Sequence, residues 1–175
     1  EYAREIVFVH AGVVVWNGKA IVIPGTSHSG KTTLVAELVK KGAVYFSDEY
    51  ALISADGMVH PFPRPLAIRE RNDPLKRKDV EVGQLGGIAG SGPAPIGLVY
   101  FGKFRQKARW DPKKISPGVG LIEIITHTIP MRVNSEFAIV ALRNAVEGAE
   151  MFRSDRGEAV AAAEKILQFI DNTDN

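Results

Sequence analysis

Gly25-Thr26-Ser27-His28-Ser29-Gly30-Lys31-Thr32 is the stretch on which the reading of this chain turns. It fits G-x-x-x-x-G-K-[ST] at every position, the pattern of a loop whose backbone N–H groups turn inward around phosphate oxygens. Glycine at such turns removes the Cβ that would oppose a positive φ. Lys31 then supplies a point charge to β and γ phosphates, and Thr32 a hydroxyl to Mg²⁺. A helix starting at Gly30 aims the positive end of its dipole at the anion. The flanks agree with this. Ala20-Ile21-Val22-Ile23 has the β-branched density of a buried strand. Behind the loop, Leu34, Val35, Leu38 and Val39 share one helical face, and Gly42 supplies the stop. Residues 25–33, including Thr26, Ser27, His28, Ser29 and Thr33, are therefore the candidate nucleotide-binding segment.

Upstream, 6–9 and 13–16 are strand-like, and Asn17-Gly18 is a strong hairpin signal. It joins 13–16 to 20–23 as an antiparallel hairpin leading into the loop. Downstream, Val44-Tyr45-Phe46 predicts a strand ending in Ser47-Asp48-Glu49, and 51–54 with 57–60 a second hairpin around Ala55-Asp56-Gly57. Pro61-Phe62-Pro63-Arg64-Pro65 excludes regular structure. Charge density over 69–79 and glycine and proline density over 83–97 predict one long mobile loop, 69–97. A strand follows at 98–101. Helices are expected from Ser116-Pro117 through Leu121, Ile122 and Ile125, and from Ser135 with Phe137, Val140, Ala141 and Val146 on one face. A last helix is expected from Ser154-Asp155 with Val160, Ala163, Leu167 and Ile170, and a frayed tail at 171–175. The expected fold is a single α/β domain over 1–175 with a mixed sheet and C-terminal helices.

Composition narrows the function classes. At 175 residues and 45% apolar the chain is long enough for one sizeable core. It has no cysteine, so disulfides and thiolate metal sites are excluded. A formal net charge of +2 gives no electrostatic signal for nucleic acid, and no apolar run has the length of a membrane span. Basic residues 103–114 with Tyr100, Phe101, Phe104 and Trp110 are a weak stacking signal for nucleic acid, which the net charge does not support. A cytoplasmic location, without membrane or nucleic-acid partners, is the expectation.

Asp48 and Glu49 close a hydrophobic strand seventeen positions after Lys31. Acids at a strand end near a phosphate loop hold Mg²⁺ or orient the attacking group. Adjacent side chains on an extended chain point in opposite directions, so the two can divide those tasks. With His10-Ala11-Gly12-Val13, the glycine loop, Lys41-Gly42 and this acid pair, the sequence resembles the catalytic domain of HPr kinase/phosphorylase, a family related in fold to ATP-dependent phosphoenolpyruvate carboxykinase. Ile115-Ser116-Pro117, Thr126-His127-Thr128 and Asn134-Ser135-Glu136-Phe137-Ala138 resemble a divergent branch of the same group. The resemblance implies a phosphoenolpyruvate carboxykinase/HPr kinase-like P-loop fold that uses ATP, or another nucleoside triphosphate, with Mg²⁺. It implies that Asp48 deprotonates a hydroxyl acceptor, that Glu49 and Thr32 bind the metal, and that His10 and Lys31 stand at the phosphates. It also implies ring-like homo-oligomers.

The departures are specific. Ala67, in Ala67-Ile68-Arg69-Glu70, stands where the family has an acid; Glu49 replaces an aspartate and His28 a glycine. The segment that recognises the protein substrate in that family has no counterpart, which leaves the acceptor as a serine of a protein or peptide, or a small hydroxyl compound. Arg69, Arg71 and Arg132 are candidates to neutralise transferring phosphate. Two alternatives remain: a nucleotide sensor without transfer, and a small-molecule kinase of the shikimate-kinase type, which requires an all-parallel sheet around the loop.

Overall fold

Alternation of small and β-branched residues builds the central strand, β1 (Ile6–Trp16), which sends Val7, Val9, Ala11 and Val13 to one face and Val14 to the other. The computed structural model describes residues 5–26, 29–70, 73–129 and 135–173. The sequence divides 6–16 into two strands, whereas the structure has one. Each half finds its own neighbours, so no backbone group along His10-Ala11-Gly12 needs a turn. The first half pairs with β4 (Tyr50–Ser54) and β10 (Thr128–Ile129). The second pairs with β2 (Lys19–Pro24) and β3 (Val44–Ser47). The Asn17-Gly18 hairpin is present, both residues having the positive φ that such a turn requires (49° and 77°).

β2 runs parallel to β8 (Ile96–Phe101), which runs parallel to β11 (Glu150–Arg153); the short β9 (Lys113–Lys114) adds antiparallel to β11 and β5 (Val59–His60) to β4. The sheet is therefore mixed, as expected, and not the all-parallel sheet of the shikimate-type alternative. Helices cover both faces. On one, α2 (Pro117–Thr126) and α3 (Ser135–Val146) bury Ile124, Ala141 and Leu142 against Val9, Val13 and Val99. On the other, α1 (Lys31–Lys40) and α4 (Ala159–Thr173) pack Leu34, Leu38, Ala163 and Ile166 against Val14, Ile21 and Leu98. Ser116 caps α2 by accepting a hydrogen bond from the Val119 N–H, with Pro117 behind it.

Four expectations need correcting. Residues 69–97 are not one structureless loop. β6 (Leu66–Glu70) and β7 (Asp73–Val80) form an antiparallel hairpin, followed by a 3₁₀ turn at Val82–Leu85. The last helix begins at Ala159, because Ser154 instead follows β11 and spends its hydroxyl on the Asp111 N–H and the Asp155 carbonyl. That helix runs through Asp171, which accepts hydrogen bonds from Trp16 Nε1 (2.8 Å) and Asn17 Nδ2 (3.1 Å), so 171–173 is held; 174–175 lie outside the described residues. Finally, Ile122, Val140 and Val160 are exposed; Ile124 and Leu142 are buried in α2 and α3, while Ala163, Leu167 and Ile170 are buried in α4 as expected. Among the described residues no helix is long and apolar enough to cross a membrane.

Candidate functional site

β2 delivers the chain to Gly25 at the end of the β1–β2 hairpin, and α1 begins at Lys31, so the glycine motif lies between strand and helix. Gly30 takes the N-cap position of α1 with φ 86°, a left-handed conformation that favours glycine. Among the described residues no side chain caps α1. Its first-turn amides lack intrahelical acceptors, which makes the helix start an anion-receptive end. Ser29 Oγ is buried without a hydrogen-bond partner among the described residues. Such an orphan costs about 1–3 kcal/mol unless a ligand meets it. The uncapped amides, the orphaned hydroxyl and the Gly30 turn fit a bound polyphosphate. Ser27 and His28 lie outside the described residues.

Lys31 is only 7% exposed. Its ammonium donates to the carbonyl oxygens of Gly25 (2.8 Å) and Thr26 (2.7 Å). Burial pulls its pKa from 10.5 down to about 8, with Asp48 and Glu49 pulling the other way. Both acids line the same cleft as the loop lysine. The turn carrying them is built by Ser47, whose buried hydroxyl accepts from the N–H groups of Glu49 (3.1 Å) and Tyr50 (3.0 Å). Asp48 is half-buried, 2.9 Å from the Tyr45 hydroxyl, whose proton is shared between it and the Arg64 carbonyl at the same distance. Burial and the Asp48 charge push the Tyr45 phenol well above its ordinary pKa, so it stays protonated as a donor. Glu49 is exposed and faces Arg64 at 3.6 Å. Its carbonyl accepts from the Ala11 N–H, tying the acid turn to β1.

His10 stands at the same junction. Its Nδ1 lies 2.5 Å from the Gly25 carbonyl, and its own carbonyl accepts from the Gly25 N–H. The His10 N–H donates to the His127 carbonyl. His127 is the C-cap of α2. Burial, with smaller contributions from Lys31, His10 and Lys103, lowers its pKa, and Glu123 works against the shift.

These groups open into a cleft of about 640 Å³. His10, Gly30, Lys31, Thr32, Thr33, Asp48 and Glu49 line it, so the catalytic and metal candidates meet in one cleft, whereas Gly25, Thr26 and Ser29 are not among its lining. No cluster of three metal-ligating His, Asp or Glu side chains forms among the described residues. The set for a divalent ion is therefore sparse: Thr32 and the acid pair. Ala67 also lines the cleft, directly across the hairpin from Asp79. Arg71 and Arg132 lie outside the described residues.

Sequence reasoning missed Arg156. It is 3% exposed; its Nη2 donates to the Gly30 carbonyl (2.7 Å), its Nη1 to that of Gly157 (3.1 Å), and its guanidinium lies 5.6 Å from the Phe104 ring centroid. Burial lowers its pKa, though an arginine remains charged. The only local signal was an Arg-Gly step before the last helix. Of the aromatic residues behind the weak nucleic-acid signal, Tyr100 and Phe101 are buried, Trp110 packs tilted on Tyr100 (5.6 Å) and edge-on to Phe152 (5.4 Å), and Phe104 is exposed.

No protein-family model matches the chain, and no curated protein matches it in sequence. Among solved structures it is similar to the HPr(Ser) kinase/phosphatase from Coxiella burnetii, with a TM-score of 0.45 and 13% identity over 95% of this chain and 95% of that one. The chemistry of the cleft therefore rests on its own side chains.

Proposed function

We propose that this chain is a Mg²⁺-dependent phosphotransferase that moves the γ-phosphate of ATP, or another nucleoside triphosphate, to a hydroxyl acceptor. Residues 25–33 would be its phosphate-binding loop, of the HPr kinase-like type, within a single nucleotide-binding domain acting in the cytoplasm. One observation carries the reading: a buried ammonium, Lys31, held on the carbonyls of a glycine loop at an uncapped helix start, electrostatically coupled to an acid pair in the same cleft. A structural lysine gains nothing from such burial, whereas a polyphosphate matches it with charge.

In this assignment the loop amides and Lys31 bind the β and γ phosphates. Thr32 and Glu49 hold the divalent ion, which when bound offsets charge on the phosphates. Asp48, kept in place by Tyr45, accepts the proton of the acceptor hydroxyl as its oxygen bonds to the γ-phosphorus and the bond to the bridging oxygen breaks. His10 fixes the loop through Gly25 and stands beside Lys31's carbonyl partner. The acid pair favours transfer over sensing alone, because nucleotide binding by itself needs no base in the cleft. The test is turnover of labelled nucleotide with source-cell extract as acceptor, in wild type and Asp48→Asn. Loss of labelled product with nucleotide affinity intact supports transfer. Tight binding without turnover in the wild type leaves a nucleotide sensor.

A further inference from the structure

Among the described residues, Phe104 is the one exposed large apolar side chain that lines the cleft. A single apolar residue on an open surface needs no explanation, but a phenyl ring in the wall of a charged cleft does. The ring is 47% exposed and belongs to neither core cluster, so the fold gains little from burying it. Its position is nevertheless fixed. Phe104 forms a β-bridge with Arg156, whose N–H donates to the Lys103 carbonyl (3.0 Å) and whose carbonyl accepts from the Arg105 N–H (2.9 Å). The Phe104 N–H in turn donates to the Ser29 carbonyl of the glycine loop (3.4 Å). The backbone therefore holds this ring beside the loop.

Its surroundings leave a π face open. Phe104 Cβ lies 3.5 Å from where a Cβ on Gly30 would stand, next to the start of α1. The buried Arg156 guanidinium lies over one face of the ring, and no second aromatic ring packs on it among the described residues. Apart from the His10 imidazole, which bonds the Gly25 carbonyl, Phe104 is the only aromatic ring in the described lining. The charged and hydroxyl side chains of that lining suit phosphates and a metal ion. A phenyl ring suits a planar apolar group, and every nucleobase presents one.

We propose that Phe104 is the stacking platform for the base of the nucleoside triphosphate, and that this subsite prefers purines. This deepens the phosphotransfer reading and rests on it. The loop and Lys31 hold the polyphosphate, and the ring beside Gly30 receives the base of the same ligand. A π face responds to stacking strength rather than to the hydrogen-bonding edge. Adenine and guanine are therefore accepted alike, and the smaller pyrimidines bind less tightly. Arg156 joins the two halves of the site, bracing the loop through Gly30 and backing the ring with a cation.

The experiment measures, by calorimetry in Mg²⁺, the affinities of ATP, GTP, CTP and inorganic tripolyphosphate, which has the phosphates without a base. Wild type binds ATP and GTP more tightly than CTP, and each nucleotide more tightly than tripolyphosphate. Phe104→Ala weakens ATP and GTP binding about tenfold while tripolyphosphate affinity stays within about twofold. Phe104→Trp retains wild-type affinity. Phe104→Leu, which keeps apolar bulk without a π face, shows the same selective loss and replaces the alanine variant should that one fail to fold. Tripolyphosphate binding as tight as nucleotide binding overturns the proposal, as does equal affinity for CTP and ATP. Wild-type nucleotide affinity in Phe104→Ala or Phe104→Leu also overturns it. So does an equal loss for nucleotide and tripolyphosphate, which would make Phe104 a prop of the loop. Failure of the wild type to bind tripolyphosphate and nucleotides alike refutes the phosphotransfer reading, and this proposal with it.

Discussion

Nucleotide binding should inherit a pH dependence from Lys31. Burial holds its pKa at about 8 rather than 10.5. A bound polyphosphate favours the ammonium, so binding above that pH must draw a proton from solution. For a free-state value of about 8, the apparent Kd for Mg²⁺-nucleotide rises about eightfold between pH 7.5 and 9.0. An ordinary lysine would change it by only about 3%. The window lies above the second ionisation of a phosphate monoester, about pH 6, so the ligand's own titration adds little. Calorimetry in two buffers of different ionisation heat reads the coupled proton: uptake of about 0.9 at pH 9.0 and about 0.2 at pH 7.5. Lys31→Arg, charged throughout, should bind with a flat profile. A flat wild-type profile, or no proton uptake at pH 9.0, refutes the reasoning. The sign for stability is opposite to that for binding. Between about pH 8 and 10.5 the unfolded chain holds a proton that the folded chain has lost, so Lys31 makes stability rise with pH there. The rise is about 3 kcal/mol across that range, and below pH 8 the cost of burying the charge is paid in full.

Three further perturbations test the framework around the site. Gly57→Ala should lower unfolding free energy by about 2–4 kcal/mol in denaturant titration, since φ is 82° and a Cβ would come 2.5 Å from the Ala145 nitrogen on α3. Gly30→Ala should cost about 1–2 kcal/mol of stability for its left-handed φ. It should also weaken nucleotide binding, because the new Cβ would sit 2.5 Å from Arg156 Nη2 and displace it; unchanged affinity in calorimetry would remove Arg156 from the loop's support. Asp171→Ala should speed amide hydrogen exchange in the last turn of α4 while leaving α1 unchanged, as it removes the acceptor for Trp16 and Asn17.

The parts of this protein legible in its sequence are those fixed by local backbone chemistry. Asn17-Gly18, the Gly30 turn and the Ser116-Pro117 cap each depend on a few neighbouring residues, and each is in the structure. The acid turn was legible for the same reason, as polar residues ending an apolar strand. The β6–β7 hairpin escaped because β7, Asp-Pro-Leu-Lys-Arg-Lys-Asp-Val, lacks the apolar alternation by which a half-buried strand is recognised. β11 escaped because four residues carry too little periodicity, and its loss shifted the start of α4 into the Ser154 turn. Arg156 and Arg64 were illegible for a different reason. Their roles arise only when distant segments meet, and nothing in their neighbours announces it.

The bond from Arg156 to Gly30 spans 126 positions. Because synthesis proceeds from the N-terminus, the glycine turn leaves the ribosome long before the guanidinium that braces it exists. An N-terminal fragment, however well its first hairpin forms, presents that turn unbraced. Capture of nucleotide by a nascent chain would thus mark the emergence of Arg156, and copies terminated before it would be poor competitors for the ligand.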